Sequence, residues 1–174
     1  MATTFTKIAT AEVGVGGASS IDFTSIPSTY TDLVIKLSGR VAGSGTGTQA
    51  RIQFNGSSSG YSDRTLDGTG SGTPTSFPRT GSSYIYLLSL VQAGGGTSST
   101  WGNGEIYIPN YAGSTNKSVS LDGVTEYNGT TAYADLVAGL WANTAAITSI
   151  SISSQDASNF VQYSTATLYG VKNA

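Results

Sequence analysis

Short stretches in which apolar and polar residues alternate, each ended by glycine, serine or asparagine, restrict the fold more than any other feature of this sequence. Leucine or isoleucine occupies every second position within Asp32–Arg40, and Arg51–Asn55 repeats the pattern before an Asn-Gly turn. A period of two is typical of strands with one face on the core. Ala132–Trp141 is the best candidate for a helix, but Gly139 and its aromatic residues favour a strand. We therefore predict an all-β chain without significant helix.

The spacing of these stretches predicts nine or ten strands in one domain spanning residues 1–174. The predicted strands cover residues 5–13, 20–24, 32–40, 51–55, 84–90, 105–108, 117–126, 131–141, 147–153 and 162–171. Two packed antiparallel sheets are the simplest arrangement, and a jelly-roll-like β-sandwich is the preferred topology. A chain of this size buries roughly 70% of the surface that it exposes when unfolded, which is enough for one core.

Three segments are expected to lie outside the compact sandwich. Residues 1–13 are predicted to form either an N-terminal arm or an edge strand, which in an assembly adds to the sheet of a neighbour. Residues 56–83 and 92–103 are rich in glycine, serine and proline and are predicted to be long polar loops. Loops of this length are usually mobile or functional. Asp122-Gly123 is a possible bulge within its strand.

The composition removes most catalytic chemistry. The chain has no histidine and no cysteine, whereas 73 of its 174 residues are serine, threonine or glycine. Catalytic triads and thiolate or imidazole metal sites are therefore excluded. A hydrolase would depend on a pair among the ten carboxylates, and no pair stands out, so a carbohydrate-active enzyme is the minority hypothesis. The segment from Asp63 to Gly68 departs from a calcium loop and is interpreted as turn residues. We predict no enzyme, cofactor or metal.

Charge and hydropathy restrict the classes of partner that we expect for this protein. The net charge is −2, and the eight lysines and arginines are scattered without a basic cluster, which argues against binding nucleic acid. No apolar stretch is long enough for a membrane helix. Residues 1–13 lack the pattern of a signal peptide and the chain has no cysteine, so synthesis in a reducing cytoplasm without secretion by a signal peptide is expected. Low net charge suits a surface that contacts other protein.

Aromatic and arginine residues near turns are the candidates for an interaction surface. The predicted interaction residues are Tyr61, Arg64, Arg79, Trp101, Tyr111 and Tyr127. Tyr61 and Tyr127 lie beside Asn-Gly turns and are expected to be exposed, whereas Trp141 and Tyr107 are expected in the core.

Several segments, taken in order, resemble a known group of proteins. They are IPNYAGS (108–114), GLW (139–141) and LYGVK (168–172), within longer matching stretches at 19–40, 52–56, 105–128, 138–152 and 160–172. Together they resemble a poorly characterised family of virion proteins from tailed bacteriophages, many of them marine or aquatic. The resemblance implies a β-rich structural protein on the virion surface and supplies no catalytic residues.

Two functions are compatible with this resemblance. The first is a capsid decoration, or cement, protein that contacts the major capsid protein, with a homo-oligomer expected and a trimer favoured. The second is a receptor-binding module of a tail fibre or spike, attached to tail subunits, that recognises a host glycan or surface protein through its loops. Fibres usually carry coiled-coil or repetitive stalks, and the sequence has neither heptads nor repeats, which favours decoration.

Overall fold

Twelve β-strands and no α-helix are found in the residues described by the computed structural model, which are 4–44, 47–70, 72–126, 128 and 132–172. The strands are β1 (Phe5–Glu12), β2 (Ser20–Phe23), β3 (Asp32–Arg40), β4 (Gly47–Phe54), β5 (Tyr61–Gly68), β6 (Thr75–Ser82), β7 (Ile85–Gln92), β8 (Gly102–Ile108), β9 (Lys117–Glu126), β10 (Ala132–Trp141), β11 (Ile150–Ser154) and β12 (Thr165–Val171). The all-β prediction is confirmed, and the strand count exceeds the nine or ten predicted.

Eight of the strands form a jelly roll. One set has the order β1-β12-β3-β8 and the other β2-β11-β4-β7, and the neighbours within each set are antiparallel. The chain crosses between the sets from β1 through β4 and again from β7 through β12, which is the double Greek key of a jelly roll. The predicted jelly-roll-like topology is therefore confirmed.

The other four strands lengthen one of the two sheets. They continue it beyond β8 in the order β9-β10-β5-β6, all antiparallel. We call the resulting eight strands the long sheet and β2-β11-β4-β7 the short sheet. The two sheets meet where β3 and β7 run parallel for two residue pairs, Gly39 with Val91 and Arg40 with Gln92.

The core lies between the long and short sheets. The rings of Phe54, Tyr61 and Trp141 form a buried cluster with centroids 5.6–6.2 Å apart. A side chain at Gly139 of β10 would lie 2.8 Å from Ile85 of β7, so the sheets are in close contact there. Trp141 is in the core as predicted. Tyr107 is only half-buried, and its hydroxyl donates a hydrogen bond to Asp32 at 2.8 Å.

The prediction of a long loop at residues 56–83 is wrong. This segment forms β5 and β6, which pair with each other and, through β5, with β10. Their inward positions include Asp63, Thr65 and Arg79 rather than aliphatic residues, so the usual apolar alternation is missing. At Asp122-Gly123 the pairing with both neighbouring strands is regular, so the expected bulge is not formed.

The other two segments agree better with the sequence analysis. β1 is an edge strand paired only with β12 in the described part of the chain, which is one of the two predicted alternatives for residues 1–13. Residues 93–101 connect β7 to β8 without strand structure. Arg40 orders this connection because its guanidinium donates hydrogen bonds to the carbonyls of Gly94, Gly96, Thr97 and Thr100 at 2.8–3.2 Å.

The insertion that lengthens the long sheet also protects exposed strand edges. The carboxylate of Asp63 in β5 accepts a hydrogen bond from the backbone N–H of Tyr86 at 3.3 Å. Tyr86 lies on β7, which is an edge strand of the short sheet. β6 then becomes the new edge of the long sheet and carries Pro78 in its middle. Proline at an edge opposes further strand pairing. Among the described residues there is no helix capable of spanning a membrane.

Candidate functional site

The outer surface of the added strands is apolar. Its side chains come from β5, β9 and β10 and point away from the core because strand residues alternate between faces. They are Leu66 (52% exposed), Val124 (42%), Leu136 (58%), Leu140 (37%), Ala134 and Ala138. We call these six residues the apolar face. It holds four of the seven large apolar side chains that are exposed in the described part of the chain, so the exposure is concentrated there.

Strand register brings the members of the apolar face together. Leu136 of β10 lies opposite Leu66 of β5, and Ala134 lies opposite Val124 of β9. Together with Pro74 they line a shallow depression of about 430 Å³. Directly opposed apolar side chains on a sheet form a continuous surface that water solvates poorly. The face is thus suited to contact with another apolar surface.

The apolar face ends at β8, where the outer surface of the long sheet becomes polar. Lys36 of β3 forms an ion pair with Glu105 of β8. Further along, the hydroxyls of Thr10 and Thr167 are hydrogen-bonded at 3.1 Å. Among the described residues, exposed large apolar side chains are therefore concentrated on the inserted strands, and Phe5 of β1 is the exposed example on a jelly-roll strand.

Two oppositely charged residues, Arg64 and Asp122, lie on the two flanks of β10. Arg64 on β5 is opposite Ala138, and Asp122 on β9 is opposite Leu136. Both side chains are exposed on the same surface as the apolar face. The face therefore has a positive flank and a negative flank, separated by the apolar row of β10.

A second cluster lies on the outer surface of the short sheet and beside it. The rings of Tyr84 and Tyr86 are in edge contact with centroids 4.9 Å apart, and their hydroxyls are hydrogen-bonded to each other at 3.2 Å. Arg51 lies 5.1 Å from the Tyr84 ring centre and Arg79 lies 3.8 Å from that of Tyr86. Arg79 also forms an ion pair with Asp63 at 2.5 Å. We call these five residues the tyrosine–arginine cluster.

Half-exposed tyrosines beside arginines can stack on a ring and donate hydrogen bonds to hydroxyl or carboxylate groups. The hydrogen bond between the Tyr84 and Tyr86 hydroxyls, followed by burial, raises the pKa of Tyr86 above its ordinary value of 10.0. Tyr86 therefore remains a neutral hydroxyl at physiological pH. The cluster can therefore bind a ligand by stacking and hydrogen bonding.

Two buried charged groups hold the turn at residues 109–116 in place. Asp32 accepts hydrogen bonds from the backbone N–H of Asn110 at 2.9 Å and from Tyr107. The Lys117 ammonium is buried and donates to the carbonyls of Gly113, at 2.7 Å, and Thr115. Burial lowers the pKa of Lys117. Their contacts give both groups a structural role.

The carboxylates are dispersed over the fold. Among the described residues there is no group of three or more acidic side chains that could hold a metal ion. The interpretation of Asp63 as a solvated turn residue is wrong, because Asp63 is buried inside β5 and paired with Arg79.

The predicted interaction residues have different environments. Tyr61 and Tyr111 are buried, at 1% and 0% exposure, so the expectation that they lie in exposed interaction loops is wrong. Tyr61 contacts Phe54 and Trp141 in the core, and the Tyr111 hydroxyl donates to the carbonyl of Pro27.

The remaining predicted residues are more accessible. Arg64 is exposed beside the apolar face, and Arg79 is half-buried in the tyrosine–arginine cluster. Trp101 is half-buried at the end of the β7–β8 connection, and Tyr127 lies outside the described residues. The five predicted interaction residues that the structure describes are therefore not brought together into one site.

Residues of both surfaces were missed by the sequence analysis. β10 carries apolar residues on both faces, and that double pattern was the available signal for Leu136 and Leu140. Comparisons of the chain with protein-family models, with curated proteins and with solved structures found no match.

Proposed function

We propose that this protein is a structural subunit of a bacteriophage virion surface, and specifically a capsid decoration protein. The observation that carries the proposal is the apolar face. Soluble monomers rarely expose a contiguous apolar patch larger than roughly a few hundred Å² unless it contacts a partner, so such a face is typical of an assembly component. The protein then contributes by adding buried surface between neighbouring virion proteins.

Two further observations support this proposal. The segments IPNYAGS, GLW and LYGVK, which follow one another in this order along the chain, resemble segments of phage virion proteins. The jelly roll is also a fold that viral capsid domains use, although this support is an analogy because folds host many functions. Asp63 and Pro78 protect strand edges, which favours contact with partners through the faces of the sheets.

Copy number in purified virions tests the proposal. Quantitative mass spectrometry against the major capsid protein should give a ratio that corresponds to at least on the order of a hundred copies per particle, as shell-wide coverage needs many symmetric contacts. Cryo-electron microscopy should place the density on the head. Copies in the tens or fewer, or density confined to the tail, would overturn the decoration role.

The tyrosine–arginine cluster favours a second candidate, a receptor-binding module that recognises a host glycan. Tyrosines suit sugar rings, and Arg51 and Arg79 suit hydroxyl or carboxylate groups. A glycan array probed with the isolated protein tests this function. Binding that is lost in Tyr84→Ala but retained in Tyr163→Ala, an exposed tyrosine elsewhere, supports it. An array without signal rejects glycan recognition by the isolated chain.

A further inference from the structure

We propose that the apolar face is covered by the same face of a second copy of this chain, in a two-fold symmetric pair. This inference deepens the proposed function, on which it rests for its biological setting, by naming the partner of that face. The argument comes from the two charges on the flanks of β10 and from the register of the strands.

The positions of Arg64 and Asp122 select one symmetry. A two-fold axis that lies in the interface parallel to β10 stacks β10 on β10 and places β5 of each copy over β9 of the other. Arg64 of one copy then faces the strand that carries Asp122 in the other copy, and the contact occurs twice. Opposite charges across an interface fix its register and exclude other arrangements.

The alternative two-fold axis, perpendicular to the strands, is disfavoured. It would place β5 over β5 and β9 over β9, so that Arg64 approaches Arg64 and Asp122 approaches Asp122. Like charges in opposition are unfavourable. The charge pattern therefore distinguishes between two packings that the apolar residues alone would permit.

The distances of such a pair are compatible with sheet packing. Arg64 and Asp122 lie on neighbouring rows of outward side chains, level with Ala138 and Leu136, and rows are about 7 Å apart along a strand. An extended arginine side chain spans this offset. Packed sheets lie roughly 10 Å apart, and at that separation Leu136 and Leu140 on β10 can interdigitate with their copies, whereas Leu66 on β5 lies over β9 of the other copy.

The size of the face predicts a weak pair. Three strands about 4.8 Å apart and about eight residues long cover about 380 Å² per copy, or about 760 Å² in total. That area is below the roughly 1,200 Å² of stable complexes, so we expect weak association that depends on protein concentration. Copies held close together on a particle surface would associate more strongly than free copies, because their effective concentration is higher.

Sedimentation equilibrium and light scattering test whether the pair forms. The protein concentration should span about 1 µM to about 1 mM, the range over which an interface of this size should pass from separate copies to pairs. The wild-type mass should rise from one copy to two. Leu136→Asp should abolish the rise, whereas Val15→Asp, which changes an exposed valine outside the face, should not. Both positions are solvent-exposed, so circular dichroism should show folded protein in each case.

Charge reversal provides the more specific test. Arg64→Asp and Asp122→Arg should each weaken self-association at least about tenfold, because each places like charges in contact. An equimolar mixture of the two variants should form heterodimers, because the new carboxylate of the first variant then meets the new guanidinium of the second, while the native pair forms at the other contact. The double variant should associate within about threefold of wild type, because it exchanges the two charges and keeps them opposite.

Three outcomes would overturn the inference. They are a wild-type mass that stays at one copy, a mass that reaches three copies, and charge variants that do not complement each other. If the chain is monomeric but present in many copies on the head, the decoration role stands and another virion protein covers the face. If the pair forms but the protein is absent from heads, the self-association stands and the proposed function is wrong.

Discussion

The Tyr61 hydroxyl occupies a position inside the sandwich where water has no access. It accepts a hydrogen bond from the backbone N–H of Phe54 at 2.8 Å. Burial raises the pKa of Tyr61, so the group stays neutral at all physiological pH values. A buried hydroxyl is costly unless it is hydrogen-bonded, and the Phe54 N–H supplies that hydrogen bond. This hydrogen bond explains why Tyr61, which follows an Asn-Gly turn, can lie in the core.

Replacing Tyr61 by phenylalanine should destabilise the fold. The substitution keeps the ring but leaves the Phe54 N–H without a partner, which should lower the free energy of unfolding by about 1–3 kcal/mol. Urea denaturation followed by tryptophan fluorescence measures the change. Tyr84→Phe, which removes a hydroxyl from a half-exposed ring, should cost less than about 0.5 kcal/mol. Equal costs for the two variants would refute this role of Tyr61.

Gly170 is required because the ring of Tyr30 lies against its backbone. A methyl group at this position in β12 would overlap the Tyr30 ring. We expect Gly170→Ala to lower the free energy of unfolding by about 1–3 kcal/mol, because added volume forces neighbours to move. Gly68→Ala is the matched control, since its nearest neighbour, the carbonyl oxygen of Ala134, would be 3.6 Å away. A thermal melt in which both variants behave alike would contradict the prediction.

At the scale of elements, the β7–β8 connection depends on one side chain. The two terminal nitrogens of Arg40 donate to different backbone carbonyls, such as those of Thr97 and Gly94. A lysine at this position has a single ammonium group and cannot make all of these hydrogen bonds. Arg40→Lys should therefore loosen residues 93–101 and increase their cleavage by proteinase K several-fold. Mass spectrometry of the fragments locates the cut. Arg51→Lys, on the outer surface of the short sheet, should leave the cleavage rate unchanged.

Strands with aliphatic residues on one face could be predicted from the sequence, as β3, β10 and β12 illustrate. β5 and β6 could not, because their inward residues are Tyr61, Asp63, Thr65, Phe77 and Arg79, whose burial depends on partners distant in the chain. Local alternation contains no information about an ion pair formed between strands. The prediction therefore failed where polar residues, not apolar ones, face inward.

The two candidate surfaces could be predicted from the sequence even less well than these strands. The apolar face requires the β10 pairing with both β5 and β9, and the sequence pattern does not reveal β5 as a strand. Arg64 is among the predicted interaction residues, but its counterpart Asp122 is predicted only as part of a bulge. Their relation depends on strand order, which the sequence pattern does not provide.

At the scale of the whole molecule, alkaline pH should destabilise the fold. The pKa values of Tyr61, Tyr86, Tyr107 and Tyr111 are raised above 10.0, mainly by burial in Tyr61 and Tyr111 and by hydrogen bonds in Tyr86 and Tyr107. Above about pH 10 the unfolded chain loses these protons first, so the stability that is present at lower pH is lost as pH rises through the folded values.

Lys117 acts in the opposite direction. Its lowered pKa means that the folded state releases the proton first, so this group favours folding as pH rises towards 10.5. Because four tyrosines oppose one lysine, the melting temperature should fall between about pH 9 and about pH 11 in calorimetry. Tyr111→Phe should reduce the dependence on pH, and a melting temperature that increases over this range would contradict the assignment.

The proline in the middle of β6 has a consequence for the size of any assembly. A sheet that grows by adding strands at its edge has no natural end, and the product is a fibre. With Pro78 in the edge strand and a two-fold contact on the apolar face, association stops at a pair because each copy has used that face in the first contact. The inserted strands would then limit growth as well as promote contact, and a particle could accumulate many copies at high local concentration without converting them into fibrils.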